Sequence, residues 1–186
     1  MKTRDLTMIA VSAALLCIAG PLSIPAGPVP LSLATFAVYM AGAVLGAKKG
    51  AAAAALYLLI GIIGVPVFSG FESGFQKLAG PTGGYLLGYL PCAFLTGIGT
   101  EKSAGRKWFL PAMAAAGTLV LYIIGTAWFM LSTGNVIGPA LSLCVLPFLP
   151  GDAAKIIAAF LLAEPVRKAA ARQQYKGDSH TEGKQV

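Results

Sequence analysis

Residues 137–163 read IGPALSLCVLPFLPGDAAKIIAAFLLA, and this run of 27 residues holds only two charges, Asp152 and Lys155. So apolar a stretch suits a bilayer. There an isolated carboxylate or ammonium is costly, and it persists when it pairs, faces a cavity or marks a functional site. A spacing of i, i+3 sets both side chains on one helical face. Pro150-Gly151-Asp152-Ala153-Ala154-Lys155 reads as a helix start with Asp152 at or near the N-cap. Lys155 then falls in the first turn, against the positive end of the helix dipole, where an anion or polar ligand has to compensate it. Two readings stand: an intrahelical ion pair with Asp152 capping, and a ligand site. The second accounts better for the lysine.

The surrounding composition agrees with a bilayer. The chain has 186 residues, 56% hydrophobic and 11% charged, with a mean hydropathy of +0.76. Soluble domains carry roughly 25% charged residues, so this chain cannot clothe a water-facing surface. Cys17, Cys92 and Cys144 lie in apolar segments at no metal-ligand spacing and read as small packing residues. The single histidine, His180, sits in the polar C-terminal tail, so no histidine metal site or general base is expected within the membrane.

The net charge of +7 would suit nucleic acid if it were concentrated in one patch, but it is not. Twelve of the fourteen Lys and Arg fall in four clusters: Lys2 and Arg4; Lys48 and Lys49; Lys102, Arg106 and Lys107; and Arg167, Lys168, Arg172, Lys176 and Lys184. Only Lys77 and Lys155 lie outside them. The connections between, around 20–31, 64–82 and 132–149, are nearly free of basic charge. This alternation is the sequence form of the positive-inside rule, and it predicts an even number of crossings with both termini in the cytoplasm. Lys2 and Arg4 before an apolar run also fit the outline of a signal peptide. Asp5 interrupts the charged region, however, and no small-x-small site before Pro21 makes a convincing cleavage site, so a retained first helix is expected.

Six apolar segments follow, at about 6–20, 31–47, 50–63, 83–99, 108–131 and 150–166. The prediction is an all-α integral membrane protein of about six transmembrane helices. Residues 1–171 form the membrane domain and 172–186 a polar, aperiodic cytoplasmic tail. Several segments are shorter than the ~20 residues a straight span requires, so the Gly- and Pro-rich outer loops dip inward and roof a pocket. Gly42, Gly46 and Gly50, and Gly80, Gly84 and Gly88, recur at four-residue spacing and allow close helix approach.

Catalysis has little to work with. There is no phosphate-cradling Gly-x-x-x-x-Gly-Lys-[Ser/Thr] string, Gly97-Ile98-Gly99 lacks the third glycine of a dinucleotide fingerprint, and no Ser/His/Asp set exists. Glu72 falls in an outer loop and Glu164 at an inner end, so the membrane holds no second carboxylate. The loop 64–85, by contrast, is dense in ligand-contacting types: Pro66, Phe68, Phe75, Gln76, Pro81, Thr82 and Tyr85. A re-entrant cap with interfacial aromatics has the same composition, and on these residues alone the two are even.

Several runs carry a family resemblance. They are Val29-Pro30-Leu31-Ser32-Leu33, Leu56 to Gly61, Gly64-Val65-Pro66-Val67-Phe68, Gly80-Pro81-Thr82-Gly83-Gly84-Tyr85-Leu86, Tyr122 to Trp128, and Pro147 to Lys155. In this order and combination the chain resembles the BioY family, the biotin-specific S component of energy-coupling factor (ECF) transporters. One departure is Ala34, where such proteins commonly carry glutamine. The resemblance implies a multi-pass protein of a prokaryotic cell membrane that takes up biotin, with no cofactor, metal or catalytic residue of its own. Its implied partners are a transmembrane coupling subunit and two ATPase subunits. Asp152, Lys155, Tyr85, Phe68, Thr82, Gly83, Gly84, Phe75 and Trp128 would form the substrate site. Ala10 and Ala14, four residues apart on the first helix, would dock the coupling subunit, although ordinary internal packing explains such a pair equally well. The physics is compatible: biotin's ureido ring has two N–H donors and one carbonyl, matching an acid and a base, at roughly 1.5–3 kcal/mol per charge-assisted bond. Alternatives are a self-contained secondary carrier, which would use Asp152 as its proton site, and an S component for another vitamin.

Overall fold

A computed structural model describes residues 3–25, 29–103 and 108–182, with side chains through Ala169. Eight helices and one hairpin are found among them. In order they are α1 (Thr3–Ala19), β1 (Ser23–Ile24), β2 (Leu31–Ser32), α2 (Ala34–Leu45), α3 (Ala47–Ile63), α4 (Phe75–Ala79), α5 (Gly83–Glu101), α6 (Phe109–Thr133), α7 (Ile137–Cys144) and α8 (Leu149–Glu182). β1 and β2 pair antiparallel, Ser23 opposite Ser32 and Ile24 opposite Leu31.

The six long helices coincide with the six apolar segments. α4 and α7 are additional, formed within stretches read as outer loops. Among the described residues α6 alone is long and apolar enough to cross a bilayer by itself; α7 and Leu149–Ala169 qualify only as one broken span, bent by 46°. The stretch 137–163 is therefore two helices, broken at Val145-Leu146-Pro147-Phe148. Pro147 lacks an N–H to continue α7, and Phe148 provides the carbonyl that starts α8.

α5 occupies the centre and packs against α2, α3 and α6, while α8 lies against α2, and α1 against α3 and α2. Small residues make this closeness possible: a Cβ on Gly97 of α5 would stand 2.2 Å from the Ala47 nitrogen at the start of α3. The corner between α2 and α3 is the single residue Gly46, at φ 83°, a conformation that favours glycine. Glu101, closing α5, accepts the Ala47 N–H on Oε1 at 2.8 Å, placing a carboxylate at the positive end of α3. Lys77, the basic residue of the 64–82 connection, is neutralised by pairing with Glu72 at 2.6 Å.

Two expectations need correcting. Asp152 is not the cap of its helix, because α8 starts at Leu149 and the Asp152 N–H donates to the Phe148 carbonyl at 2.8 Å. The carboxylate is thereby free to reach sideways. The polar stretch from Arg172, read as an aperiodic tail, has a helical backbone, since α8 runs to Glu182. Ala170 to Gln174 are strong helix formers that propagate an existing helix, and no Gly or Pro lies between Pro165 and Gly177.

Candidate functional site

Asp152 is only 3% exposed, one turn into α8 at the level where α2 and α6 converge. Its Oδ1 accepts from Thr35 Oγ1 at 3.0 Å and from Lys155 Nζ at 3.0 Å; its Oδ2 accepts from the Tyr122 hydroxyl at 2.7 Å. Lys155 donates further to the Ser32 carbonyl at 2.8 Å and to Thr35 Oγ1 at 2.9 Å. One acid and one base thus tie α8 to β2, α2 and α6. Each bond is charge-assisted, and the polar partners offset the desolvation that makes an isolated buried pair unfavourable.

This cluster forms one wall of a narrow cavity of about 30 Å3. Ser32, Thr35, Tyr85, Tyr89, Tyr122, Asp152 and Lys155 supply its polar lining, and Val29, Pro30, Leu121 and Phe148 the apolar side. A water molecule needs roughly 10–15 Å3 on this measure, so the cavity holds about two. Larger occupants require the lining to open. Val29, Pro30, Ser32 and Phe148, the last next to the bend between α7 and α8, are the part of the lining outside the helices.

Of the residues expected from sequence, Asp152, Lys155 and Tyr85 meet at this cavity. The Tyr85 ring lies against Gly125, where a Cβ would stand 2.3 Å from it, and its hydroxyl bonds to Thr126 at 3.0 Å and donates to the Cys144 carbonyl at 3.4 Å. The others lie elsewhere. Phe68 is fully buried, edge-on to Tyr57 at 5.6 Å between centroids and pressed onto Gly61, so it fills the core beside α3 and does not line the cavity. Phe75, on α4, is two-thirds exposed. Trp128 donates from Nε1 to the Gly80 carbonyl at 2.9 Å, and its Cβ covers Gly84. Gly83 turns close over the Leu78 carbonyl. Thr82 precedes α5 with its hydroxyl buried and unpartnered among the described residues. The 80–84 turn and Trp128 therefore fix where α5 begins, and with it Tyr85 and Tyr89. Ala10 and Ala14 are exposed on α1, on a face shared with Leu6, Val11 and Ile18.

Sequence reasoning missed Thr35, Tyr122, Ser32 and Tyr89. Ser32 and Tyr122 lie inside the runs quoted above, but a hydroxyl in an apolar helix does not announce a role. Thr96 simply bonds its own i−4 carbonyl at 2.8 Å, and Thr118 does the same at 2.9 Å while also meeting the Tyr39 hydroxyl at 2.7 Å. Ala34, the departure from the family pattern, is fully buried, with its N–H on Ser32 Oγ at 3.2 Å.

The BioY family pattern matches residues 1–172. The chain belongs to the BioY family. Among BioY relatives, the biotin transporter BioY of Thermotoga maritima is 39% identical over 166 residues, covering 89% of this chain and 96% of that one. The probable biotin transporter BioY of Pyrococcus horikoshii is 37% identical over 164 residues, covering 88% and 96%. Among solved structures, the S component for biotin from an ECF-type ABC transporter superposes with a TM-score of 0.82 at 30% identity, covering 90% of this chain and 92% of that one. These relatives are transporters and not enzymes. BioY membership and a chain 56% hydrophobic together place it in a membrane.

Proposed function

We propose that this chain is the biotin-binding S component of an ECF transporter. The observation that carries the reading is the Asp152–Lys155 pair, held by Thr35 and Tyr122 in the wall of a cavity whose other side is apolar. A ureido group has N–H donors for the carboxylate and a carbonyl for the ammonium, while Leu121, Phe148 and the tyrosine rings suit the sulfur ring and alkyl tail. The names of the BioY relatives support the same substrate. Tyr85 lies in the cavity wall, and Thr82, Gly83, Gly84 and Trp128 shape the turn that positions it. Phe68 packs the core beside α3 and Phe75 stays exposed on α4, so in this reading neither touches the ligand.

In this reading the six long helices cross a prokaryotic cell membrane, with both termini cytoplasmic and the cavity toward the outer face. Spans as short as α2 are accommodated because α4, α7 and the β1–β2 hairpin fill the outer leaflet depth between them. The chain has no ATP site, so energy comes from two ATPase subunits through a transmembrane coupling subunit. That subunit docks on the exposed α1 face around Ala10 and Ala14. Small residues there permit close helix contact.

The test is thermal unfolding of the detergent-purified protein with graded biotin, thiamin and riboflavin. A ligand that binds only the folded state raises the melting temperature with its concentration. Biotin alone should do so. A rise with another vitamin and none with biotin overturns the substrate. Concentrative uptake by liposomes holding only this chain, driven by a pH gradient, overturns the S-component role.

A further inference from the structure

The hydrogen-bond count at Lys155 leaves nothing over. An ammonium has three N–H groups, and here they go to Ser32 O, Thr35 Oγ1 and Asp152 Oδ1. Asp152 has about four lone-pair positions, of which Thr35, Lys155 and Tyr122 occupy three. A ligand meeting this wall finds one free acceptor and no free donor. Its carbonyl can reach Lys155 only if a present partner yields.

The three partners are not equally held. Asp152 carries the opposite charge, and Thr35 sits in the first turn of a helix packed against α8. Ser32 is neutral and ends a hairpin with two residues per strand. The Leu33 N–H bonds the Leu22 carbonyl at 3.0 Å, which makes 22 and 33 a hydrogen-bonded pair and Ser23 and Ser32 the next, non-hydrogen-bonded one. The Ser32 carbonyl consequently turns out of the ladder, toward α8.

We propose that the ligand's urea edge enters the Lys155–Ser32 hydrogen bond. Its carbonyl accepts from Lys155 Nζ, one N–H donates to the Ser32 carbonyl, and the other N–H donates to the remaining lone pair of Asp152. The proposal rests on the biotin reading and deepens it: the Ser32 backbone carbonyl becomes a ligand-binding group, and the hairpin responds to occupancy. The matching of order supports it. A cyclic urea presents donor, acceptor, donor along one edge. The wall presents acceptor, donor, acceptor, because Lys155 Nζ bonds both Ser32 O and the Asp152 carboxylate and so lies between them; Oδ1 already accepts from Thr35 and Lys155, so the open position of that carboxylate is on Oδ2. A 2.8 Å contact leaves no room for an inserted group, so Ser32 must withdraw as the ligand enters.

Two measurements on the full-length protein in detergent test this. The first is competition of labelled biotin with two analogues, each methylated at one ureido nitrogen. Each N–H has its own acceptor, so each analogue should bind about tenfold or more weakly. A methyl group also adds bulk, so the second measurement is independent of it: hydrogen exchange of the amides in residues 22–36 with and without saturating biotin. Exchange in the hairpin should change on binding in the wild type. In Lys155→Met it should be fast whether or not biotin is present. An analogue binding within about twofold of biotin overturns the insertion, as does hairpin exchange unaltered by bound biotin; the transport reading survives both. Failure of biotin to bind at all removes both.

Discussion

The Tyr122 hydroxyl donates to Asp152 Oδ2 at 2.7 Å, joining the middle of α6 to the first turn of α8 across the cavity wall. This bond and the Thr35 bond fix the carboxylate in one orientation, so the ligand meets an acceptor already in place. Tyr122→Phe keeps the ring and removes the bond. A hydrogen bond to a charged group is worth about 1.5–3 kcal/mol. Biotin affinity by isothermal titration should fall roughly ten- to hundredfold, and unchanged affinity would separate Tyr122 from recognition.

Breaking the ion pair from one side strands a charge that only 4% side-chain exposure on Asp152 and 13% on Lys155 leaves dry. Asp152→Asn and Lys155→Met should each lower stability by about 3–5 kcal/mol. The double variant should lose clearly less than the sum, because each single change leaves the other charge uncompensated. Each should also weaken biotin binding by about 1–3 kcal/mol or more. Denaturant unfolding in detergent and ligand titration on the same preparations check both effects, and additive losses would contradict the coupling.

The phenylalanines at 68 and 75 separate packing from exposure. Phe68→Ala empties the space against Tyr57 and Gly61 and should cost about 3–5 kcal/mol. Phe75→Ala, on the exposed side of α4, should stay within about 0.5 kcal/mol. Parallel melting curves in the same detergent read the difference. Similar losses would mean that α4 is packed more tightly than its exposure indicates.

Ala10→Trp and Ala14→Trp test the docking face of α1. Neither side chain touches the cavity, so biotin affinity should be unchanged. An indole in a close helix contact costs about 1–3 kcal/mol, so complex formation and uptake should drop roughly tenfold. Uptake at wild-type levels would move the coupling subunit to another face.

Much of this architecture is legible in the chain before any coordinates. Apolar runs and basic clusters locate six helices, and a lone acid and base three residues apart point to the candidate site. What stays hidden has physical causes. The α7–α8 bend depends on where one helix stops donating carbonyls, and apolar composition continues unbroken across it. Phe68 and Tyr85 look alike as aromatics in one loop, but a core glycine at 61 draws one into packing while Gly125 seats the other at the cavity. Thr35 and Tyr122 acquire their role from a partner 117 and 30 residues away, a distance no local pattern encodes.

α2 has 12 residues and is about 18 Å long. Thr35, bonded to both buried charges, stands at its first turn, and the Gly46 corner into α3 stands at its last. α1 lies alongside both α2 and α3. A displacement of Thr35 by fractions of an ångström therefore has a stiff rod to travel along, and the rod ends beside the helix whose outward face is free for another subunit. In the proposed reading, occupancy of the cavity thus has a direct mechanical route to the α1 surface through which the protein would report it.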